Sequence, residues 1–235
     1  MNKIKIGIVG LGRLGRKHAE NIAFRIPNAE LTAACSIIKE EVDNVQKSWG
    51  IEYGYTDFNE MIENRNLDAI FIASPSGEHC SHIKAALEAG FHVFSEKPLG
   101  VSIEECMKAE KAVEKHQDKI FMLGFMRRYD KSYLYAKQKI EEGVIGDPFL
   151  IRCYSLDPEA YIQGAIKFAP GSGGIFLDMA IHDIDLARWY MNSEVKSVYA
   201  VGGCFVHKEF EEFKDVDNAA TIMQFENGTI GLFYA

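Results

Sequence analysis

The N-terminal stretch Ile4-Lys5-Ile6-Gly7-Ile8-Val9-Gly10-Leu11-Gly12-Arg13-Leu14-Gly15 passes from a short apolar run straight into three spaced glycines. The apolar run predicts a buried strand, and a helical pattern follows from residue 16 to about residue 25. Between a strand and a helix, a G-x-G-x-x-G pattern allows a tight turn, close approach of the backbone to a pyrophosphate and close packing of helix on strand. The N–H groups at the start of the helix attract the anion. We therefore expect this segment to bind a dinucleotide, and not to be a glycine-rich turn without a ligand.

Predicted strands and helices alternate through the first half of the chain. The expected strands are 31–35, 69–73, 92–95 and 120–124, and the expected helices are 40–49, 79–89 and 103–116. This alternation is typical of βαβ units, and the nearly continuous apolar strands are typical of a sheet covered by helices on both faces. We predict a dinucleotide-binding Rossmann domain, an α/β fold with a doubly wound parallel sheet, over residues 1–124.

Polar residues follow several predicted strands at their carboxyl ends. Ligands of open parallel sheets bind beyond these ends. The expected cofactor-binding residues are Gly10, Gly12, Arg13, Leu14, Gly15, Ser36, Lys39, Ser74, Pro75, His79, Glu96, Lys97 and Arg127.

The end of the second strand lacks the Asp or Glu that usually binds the ribose 2′-hydroxyl in NAD-specific sites. Ser36 and Lys39 stand near that position. They could contact the 2′-phosphate of NADP, or Lys39 could equally be a solvated residue at the start of a helix. The expected cofactor is therefore NAD or NADP.

The segment GGIFLDMAIHDID, residues 173–185, places three carboxylates and an imidazole in an apolar helical run. On a regular helix, Asp178, His182 and Asp185 share one face. Unpaired charge in an apolar surrounding is costly, so this face predicts a function. His182 is the candidate general base because an unperturbed histidine titrates near neutral pH.

Four motifs in order carry a resemblance to a known family: the glycine turn, residues 75–79, the triplet Glu96-Lys97-Pro98 and residues 173–189. With them the chain resembles the Gfo/Idh/MocA family of nicotinamide-dependent sugar and polyol oxidoreductases over essentially its whole length. The strings GFMRRYD (124–130) and SGGIFLDMAIHDIDLARW (172–189) resemble the inositol 2-dehydrogenase branch. The resemblance implies hydride transfer between the nicotinamide and a secondary alcohol of a cyclic polyol or sugar, most of all myo- or scyllo-inositol.

The resemblance also implies roles for single residues. It gives His182 the role of base and places Asp178 beside it in the catalytic set. Lys97 belongs to a turn in which the family often has a cis peptide bond before proline, and its ammonium group would favour the developing alkoxide. Glu96 is expected on the nicotinamide side of the cofactor. The catalytic residues are thus expected to be Lys97, Asp178 and His182, and the substrate-binding residues to be Lys97, Arg127, Asp157, Asp178, His182 and Asp185.

Two acidic positions of the late helix are less distinctive. Asp185 binds or supports the substrate, or it forms a structural ion pair with Arg188, and the spacing explains both equally well. Asp183 is expected to point elsewhere, towards the surface.

The resemblance implies a second domain over residues 125–235, an α/β domain with an open, mostly antiparallel sheet and with the substrate between the two domains. The sequence agrees with strands at 149–155, 198–205, 219–225 and 229–234, and with a helix at 175–190. Glu226-Asn227-Gly228 predicts a hairpin turn. Residues 157–174, with Tyr161, are expected to form a long polar loop that acts as a lid or an interface. Ala235 falls in mid-pattern, so the C-terminal part of this sheet is expected to be missing.

Composition limits the partners and the compartment. A formal charge of −8 argues against nucleic acid, and no apolar run is long enough to cross a membrane. Five scattered cysteines without C-x-x-C pairs fit reduced thiols, so a cytoplasmic protein is expected. The resemblance adds a homo-oligomer, a dimer or tetramer joined through the open sheet.

Two rival hypotheses stay open. The first is a metal-dependent lyase or hydrolase that binds its ion through Asp178, His182 and Asp185, although no metal is expected under the main hypothesis. The second is a shortened, catalytically impaired relative that keeps only the dinucleotide-binding fold.

Overall fold

The computed structural model describes residues 3–235, which form two compact units that meet in sequence between Gly124 and Phe125. The first unit is a six-stranded sheet in the order β3-β2-β1-β4-β5-β6, and every strand pair is parallel. Its strands are β1 (Ile4–Val9), β2 (Ala29–Cys35), β3 (Tyr53–Tyr55), β4 (Ala69–Ile72), β5 (His92–Ser95) and β6 (Phe121–Leu123). This order is that of a Rossmann fold, so the predicted doubly wound sheet is confirmed.

Helices cover both faces of this sheet. They are α1 (Arg13–Phe24), α2 (Lys39–Trp49), α3 (Phe58–Ile62), α4 (His79–Glu88) and α5 (Ile103–Lys115). Because successive residues of a strand point to opposite faces, Ile8 belongs to one hydrophobic cluster and Val9 to the other. Burial on both faces explains why these strands are apolar without alternation.

The second unit is a four-stranded sheet in the order β7-β10-β9-β8. Its strands are β7 (Leu150–Tyr154), β8 (Val195–Gly203), β9 (Asn218–Phe225) and β10 (Ile230–Tyr234), and its helices are α6 (Lys131–Glu141), α7 (Ile162–Ser172) and α8 (Ile181–Met191). β10 pairs with β9 and β9 with β8 in antiparallel fashion, whereas β10 and β7 are parallel. The predicted open, mostly antiparallel sheet is therefore confirmed as a mixed sheet.

Helix α8 packs on one face of the second sheet. Ala187 and Met191 of α8 share a core cluster with Met223, Phe225 and Phe233. The strict alternation of buried and exposed residues along β9 leaves the other face of the strand solvent-exposed. The helix that carries His182, one of the predicted catalytic residues, is thus packed against the second sheet.

The predicted loop at residues 157–174 is wrong, because most of it is helical. Residues 159–161 form a 3₁₀ turn and Ile162–Ser172 form α7. Ile162, Ala165 and Ala169 recur at helical spacing and pack near Phe210. This packing offsets Gly164 and Pro170, residue types that disfavour a helix.

Within residues 3–235, no helix is both long and apolar enough to cross a bilayer.

Candidate active site

The turn between β1 and α1 leaves open space in front of Gly12. Gly10 has a φ of +91°, and a Cβ added at Gly10 or at Gly15 would overlap the backbone of Ala73 or Gly10, respectively. A Cβ at Gly12 would meet no atom within 4 Å. Helix α1 begins at Arg13 without a side-chain cap or an acidic residue in its first turn, so its first N–H groups face outward for an anion. The turn fits a pyrophosphate.

At the end of β2, the hydroxyl of Ser36 contacts the carboxylate of Glu41, a residue of helix α2. Ser36 Oγ donates to Glu41 Oε2 over 2.5 Å, and Glu41 lies in the first turn of α2. Lys39 Nζ contacts both carboxylate oxygens of Asp43, at 2.6 and 2.7 Å. Lys39 is therefore bound by Asp43 of its own helix, and Glu41 is an acidic neighbour of β2 that the residues at the strand end did not predict.

His79 ties the ends of β4 and β5 together. Its ring is 2% exposed, with Nδ1 2.7 Å from the Pro98 carbonyl oxygen and Nε2 2.8 Å from the Ser74 carbonyl oxygen. Both acceptors belong to loops that carry predicted cofactor-binding residues. Direct cofactor binding by His79 stays a prediction, and its geometry favours a supporting role.

A second histidine holds the residue before Lys97. His18 Nε2 lies 2.7 Å from Glu96 Oε1, and the His18 ring packs against Phe71 with centroids 4.7 Å apart. Glu96 Oε2 accepts from the Lys97 backbone N–H at 3.2 Å. The Lys97–Pro98 peptide bond is cis, as the resemblance implies. Sequence reasoning missed His18, although it stands three residues after Gly15 in the glycine motif.

In the second unit, Asp178 and His182 stand on either side of a change in helix geometry. Asp178 lies in a π-helical turn at Phe176–Ala180, and His182 lies in the first turn of α8; both side chains are half-buried. Because a π turn shifts the helical phase, the regular i, i+4, i+7 face expected for Asp178, His182 and Asp185 does not apply. Such turns are frequent at functional sites.

Asp183 is buried, so its predicted surface position is wrong. It is 4% exposed, and its carboxylate accepts from the Arg127 guanidinium and, at 2.5 Å, from Ser155 Oγ. The pair explains the burial, since a carboxylate in the interior requires a partner. Arg127, predicted to bind cofactor or substrate, is thus a partner of Asp183, and its ligand contacts stay a prediction.

Asp185 forms a two-pronged ion pair with Arg128 and none with Arg188. Asp185 accepts from Arg128 Nε and Nη2 at 2.8 Å each, whereas Arg188 binds Glu194. The hydrogen bonds that Arg128 donates to Asp185 raise the pKa of Arg128. The expected Arg188 pair is therefore wrong. Substrate binding by Asp185 stays a prediction. Because both of its carboxylate oxygens accept from Arg128, its geometry favours a structural role.

Asp157 and Asp178 line a cavity of about 210 Å³ within the second unit. Apolar side chains that include Ile162 and Ala169 of α7 form another part of its wall. The cavity therefore combines carboxylates with apolar surface, which is typical of small-molecule sites.

Neither thiol nor metal chemistry is suggested by the described residues. Burial raises the pKa of Cys35 and of Cys153 to about 12, so both thiols stay protonated and weakly nucleophilic. Within residues 3–235, no three His, Cys, Asp or Glu side chains are grouped as metal ligands. The metal hypothesis also required Asp185, whose oxygens are held by Arg128.

Both halves of the chain match one family in comparisons with known proteins. Residues 4–125 match the family described as "Oxidoreductase family, NAD-binding Rossmann fold", and residues 133–235 match the "GFO/IDH/MocA C-terminal domain".

Similar proteins include inositol dehydrogenases. The chain is 36% identical to a myo-inositol 2-dehydrogenase of Thermotoga maritima, over 97% of this chain and 67% of that protein. It is 37% identical to the scyllo-inositol 2-dehydrogenase (NAD⁺) of Bacillus subtilis, over 98% of this chain and 66% of that protein. A crystal structure of scyllo-inositol dehydrogenase from Lactobacillus casei with bound NAD(H) and scyllo-inositol superposes with a TM-score of 0.94 at 46% identity, covering 100% of this chain and 69% of that one. The chain thus spans about two thirds of the length of these relatives.

Proposed function

Because the chain belongs to the Gfo/Idh/MocA oxidoreductase family, we propose that it is an NAD-dependent dehydrogenase of cyclic polyols, with myo- and scyllo-inositol as its first candidate substrates. The uncapped first turn of α1 in front of Gly12 is the observation that carries dinucleotide binding. The polyol class is supported by the inositol dehydrogenases that are 36–46% identical over nearly the whole chain.

The reaction needs a base, an orienting group and a positive charge. A bound nicotinamide supplies the hydride acceptor. His182 removes the hydroxyl proton, and Asp178 orients the imidazole or accepts from a substrate hydroxyl. The Lys97 ammonium group lowers the pKa of the alcohol and stabilises the alkoxide that forms.

Two ion pairs with buried carboxylates support this chemistry in the second unit. Arg127 and Arg128 fix Asp183 and Asp185 on the same helix as His182. Because a helix with anchored side chains holds its neighbours in a defined orientation, these pairs keep His182 aligned. Asp157 and Asp178 offer acceptors for polyol hydroxyls along the cavity that they line.

The proposal includes self-association through the exposed face of the second sheet. The large side chains on this face, each at least 41% exposed, are Tyr199, Val201, Ile222 and Tyr234. A contiguous apolar face of this kind is typical of a protein contact. Light scattering of the wild type and of an Ile222→Lys variant tests it, with a smaller particle expected for the variant.

The direct experiment measures NADH and NADPH formation by the purified chain with a panel of inositols and sugars, with and without a chelator. We expect inositol-dependent NADH formation that survives chelation. Activity lost on chelation and restored by a metal would favour the metal-dependent alternative. NADH binding without turnover of any polyol would favour the catalytically impaired relative.

A further inference from the structure

The end of β2 lies against the glycine turn, where the adenosine ribose of a dinucleotide binds in Rossmann folds. The Gly10 N–H donates to the Cys35 carbonyl oxygen at 2.9 Å, which joins the last residue of β2 to the first glycine. The next residue, Ser36, is 6% exposed. A side chain that contacts Ser36 therefore lies close to the glycine turn.

The Ser36 hydroxyl is used in both directions. It donates to Glu41 Oε2 over 2.5 Å and accepts from the Ile38 N–H at 3.2 Å. A hydroxyl has one proton to donate, so Ser36 has none left for a phosphate oxygen. The contact instead fixes the half-buried carboxylate of Glu41 beside the end of β2.

The negative charge of residues 36–43 opposes the 2′-phosphate that distinguishes NADP from NAD. Residues 36–43 contain three acidic residues and one basic residue, Lys39, whose ammonium group contacts both oxygens of Asp43. A 2′-phosphate carries roughly two negative charges near neutral pH, so it would meet net repulsion here. A ribose hydroxyl, by contrast, can donate to a carboxylate.

We propose that Glu41, held in place by Ser36, is the residue that selects NAD over NADP, supplying from helix α2 the carboxylate that the end of β2 lacks. This inference rests on the proposed dinucleotide-dependent function. Ile37 and Ile38, which are 91% and 53% exposed, add an apolar surface next to this carboxylate that suits the flat face of an adenine.

Titration calorimetry with NADH and with NADPH tests this without any turnover. The wild-type chain is expected to bind NADH roughly 10–100-fold more tightly than NADPH. Glu41→Gln keeps an acceptor for Ser36 but removes the charge, so it is expected to narrow this ratio about tenfold, mainly through tighter NADPH binding. Glu40→Gln, an exposed acid in the same helical turn, is the matched control and is expected to leave the ratio unchanged.

Equal affinity of the wild type for both dinucleotides would overturn the proposal, as would an unchanged ratio in Glu41→Gln or an equal shift in Glu40→Gln. If the Glu41 variant does not fold, the salt dependence of the wild type decides. Electrostatic selection predicts that the NADH preference declines as ionic strength rises, and a salt-independent ratio contradicts it. A chain that prefers NADH yet oxidises no polyol would contradict the proposed function and leave the role of Glu41 intact.

Discussion

The candidate site residues of the two units lie on different kinds of secondary structure. In the first unit they follow the carboxyl ends of parallel strands, and the dinucleotide cradle is made mainly of backbone at Gly12 and the start of α1. In the second unit they crowd onto one helical segment, where Asp183 and Asp185 are buried in ion pairs while Asp178 and His182 stay half-buried. The backbone cradle is thus indicated by its place between a strand and a helix, whereas the role of each acid on the helical segment depends on its burial and contacts.

The largest effect is expected where the second unit does chemistry. His182→Ala should lower turnover with NAD⁺ and inositol by roughly 10²–10⁴-fold, because the hydroxyl proton loses its acceptor. NADH affinity, a property of the first unit, should stay unchanged in calorimetry. Near-normal turnover would remove His182 from the role of base.

Removing an ion-paired acid should instead cost stability. Asp183→Ala leaves the half-buried Arg127 without its carboxylate, so the free energy of unfolding should fall by about 2–3 kcal/mol in urea titrations. Asp178→Ala, at a half-buried position on the same segment, should cost much less stability but lower turnover. Equal losses of stability in the two variants would argue against the division of this helix into supporting and reacting residues.

The first unit should be the more sensitive to acid. Burial lowers the pKa of His82 from 6.5 to about 4, so between these pH values the unfolded chain binds a proton that the folded chain excludes. The stability associated with His82 is complete above about pH 6.5 and is lost towards pH 4, by up to ~1.4 kcal/mol per pH unit. His82→Gln should flatten this part of the pH profile in thermal unfolding. A variant with the same profile as the wild type would disprove the assignment.

The smallest effects are expected for two glycines of the turn, one of which should affect NADH binding and the other the stability of the fold. Gly12 has a φ of −62°, which alanine also adopts, so Gly12→Ala should fold normally yet weaken NADH binding roughly tenfold by narrowing the cradle. Gly15→Ala places a Cβ on the Gly10 carbonyl oxygen and should lower the free energy of unfolding by about 1–3 kcal/mol. Unchanged NADH affinity in Gly12→Ala would place the pyrophosphate elsewhere.

Most of the first unit follows from local pattern. Its longer strands are continuous apolar runs, its helices repeat apolar residues at helical spacing, and its glycine turn stands between a strand and a helix. The elements without a predicted counterpart, β3 and α3, have three and five residues, too few for a period to show. Glu41 could not be predicted from the residues at the end of β2, because it reaches that end from helix α2.

The second unit is harder to predict because its contacts span long stretches of sequence. Asp185 and its partner Arg128 are 57 residues apart, so helical spacing suggested only the nearer Arg188 as an ion-pair partner. The π turn shifts the helical phase ahead of His182, which no local spacing rule reveals. Helix α7 forms despite Pro170 because its apolar residues find partners around Phe210.

The most direct measurement follows the hydride itself. The wild-type chain is incubated with NAD⁺ and inositol deuterated at its ring carbons, and the mass of the NADH formed is determined. Transfer from a secondary alcohol predicts NADH that carries one deuterium, at a rate that falls by roughly 10²–10⁴-fold in His182→Ala. If the inositol is converted without deuterium in NADH, or if it is not converted while NADH binds, the chain is not a polyol dehydrogenase.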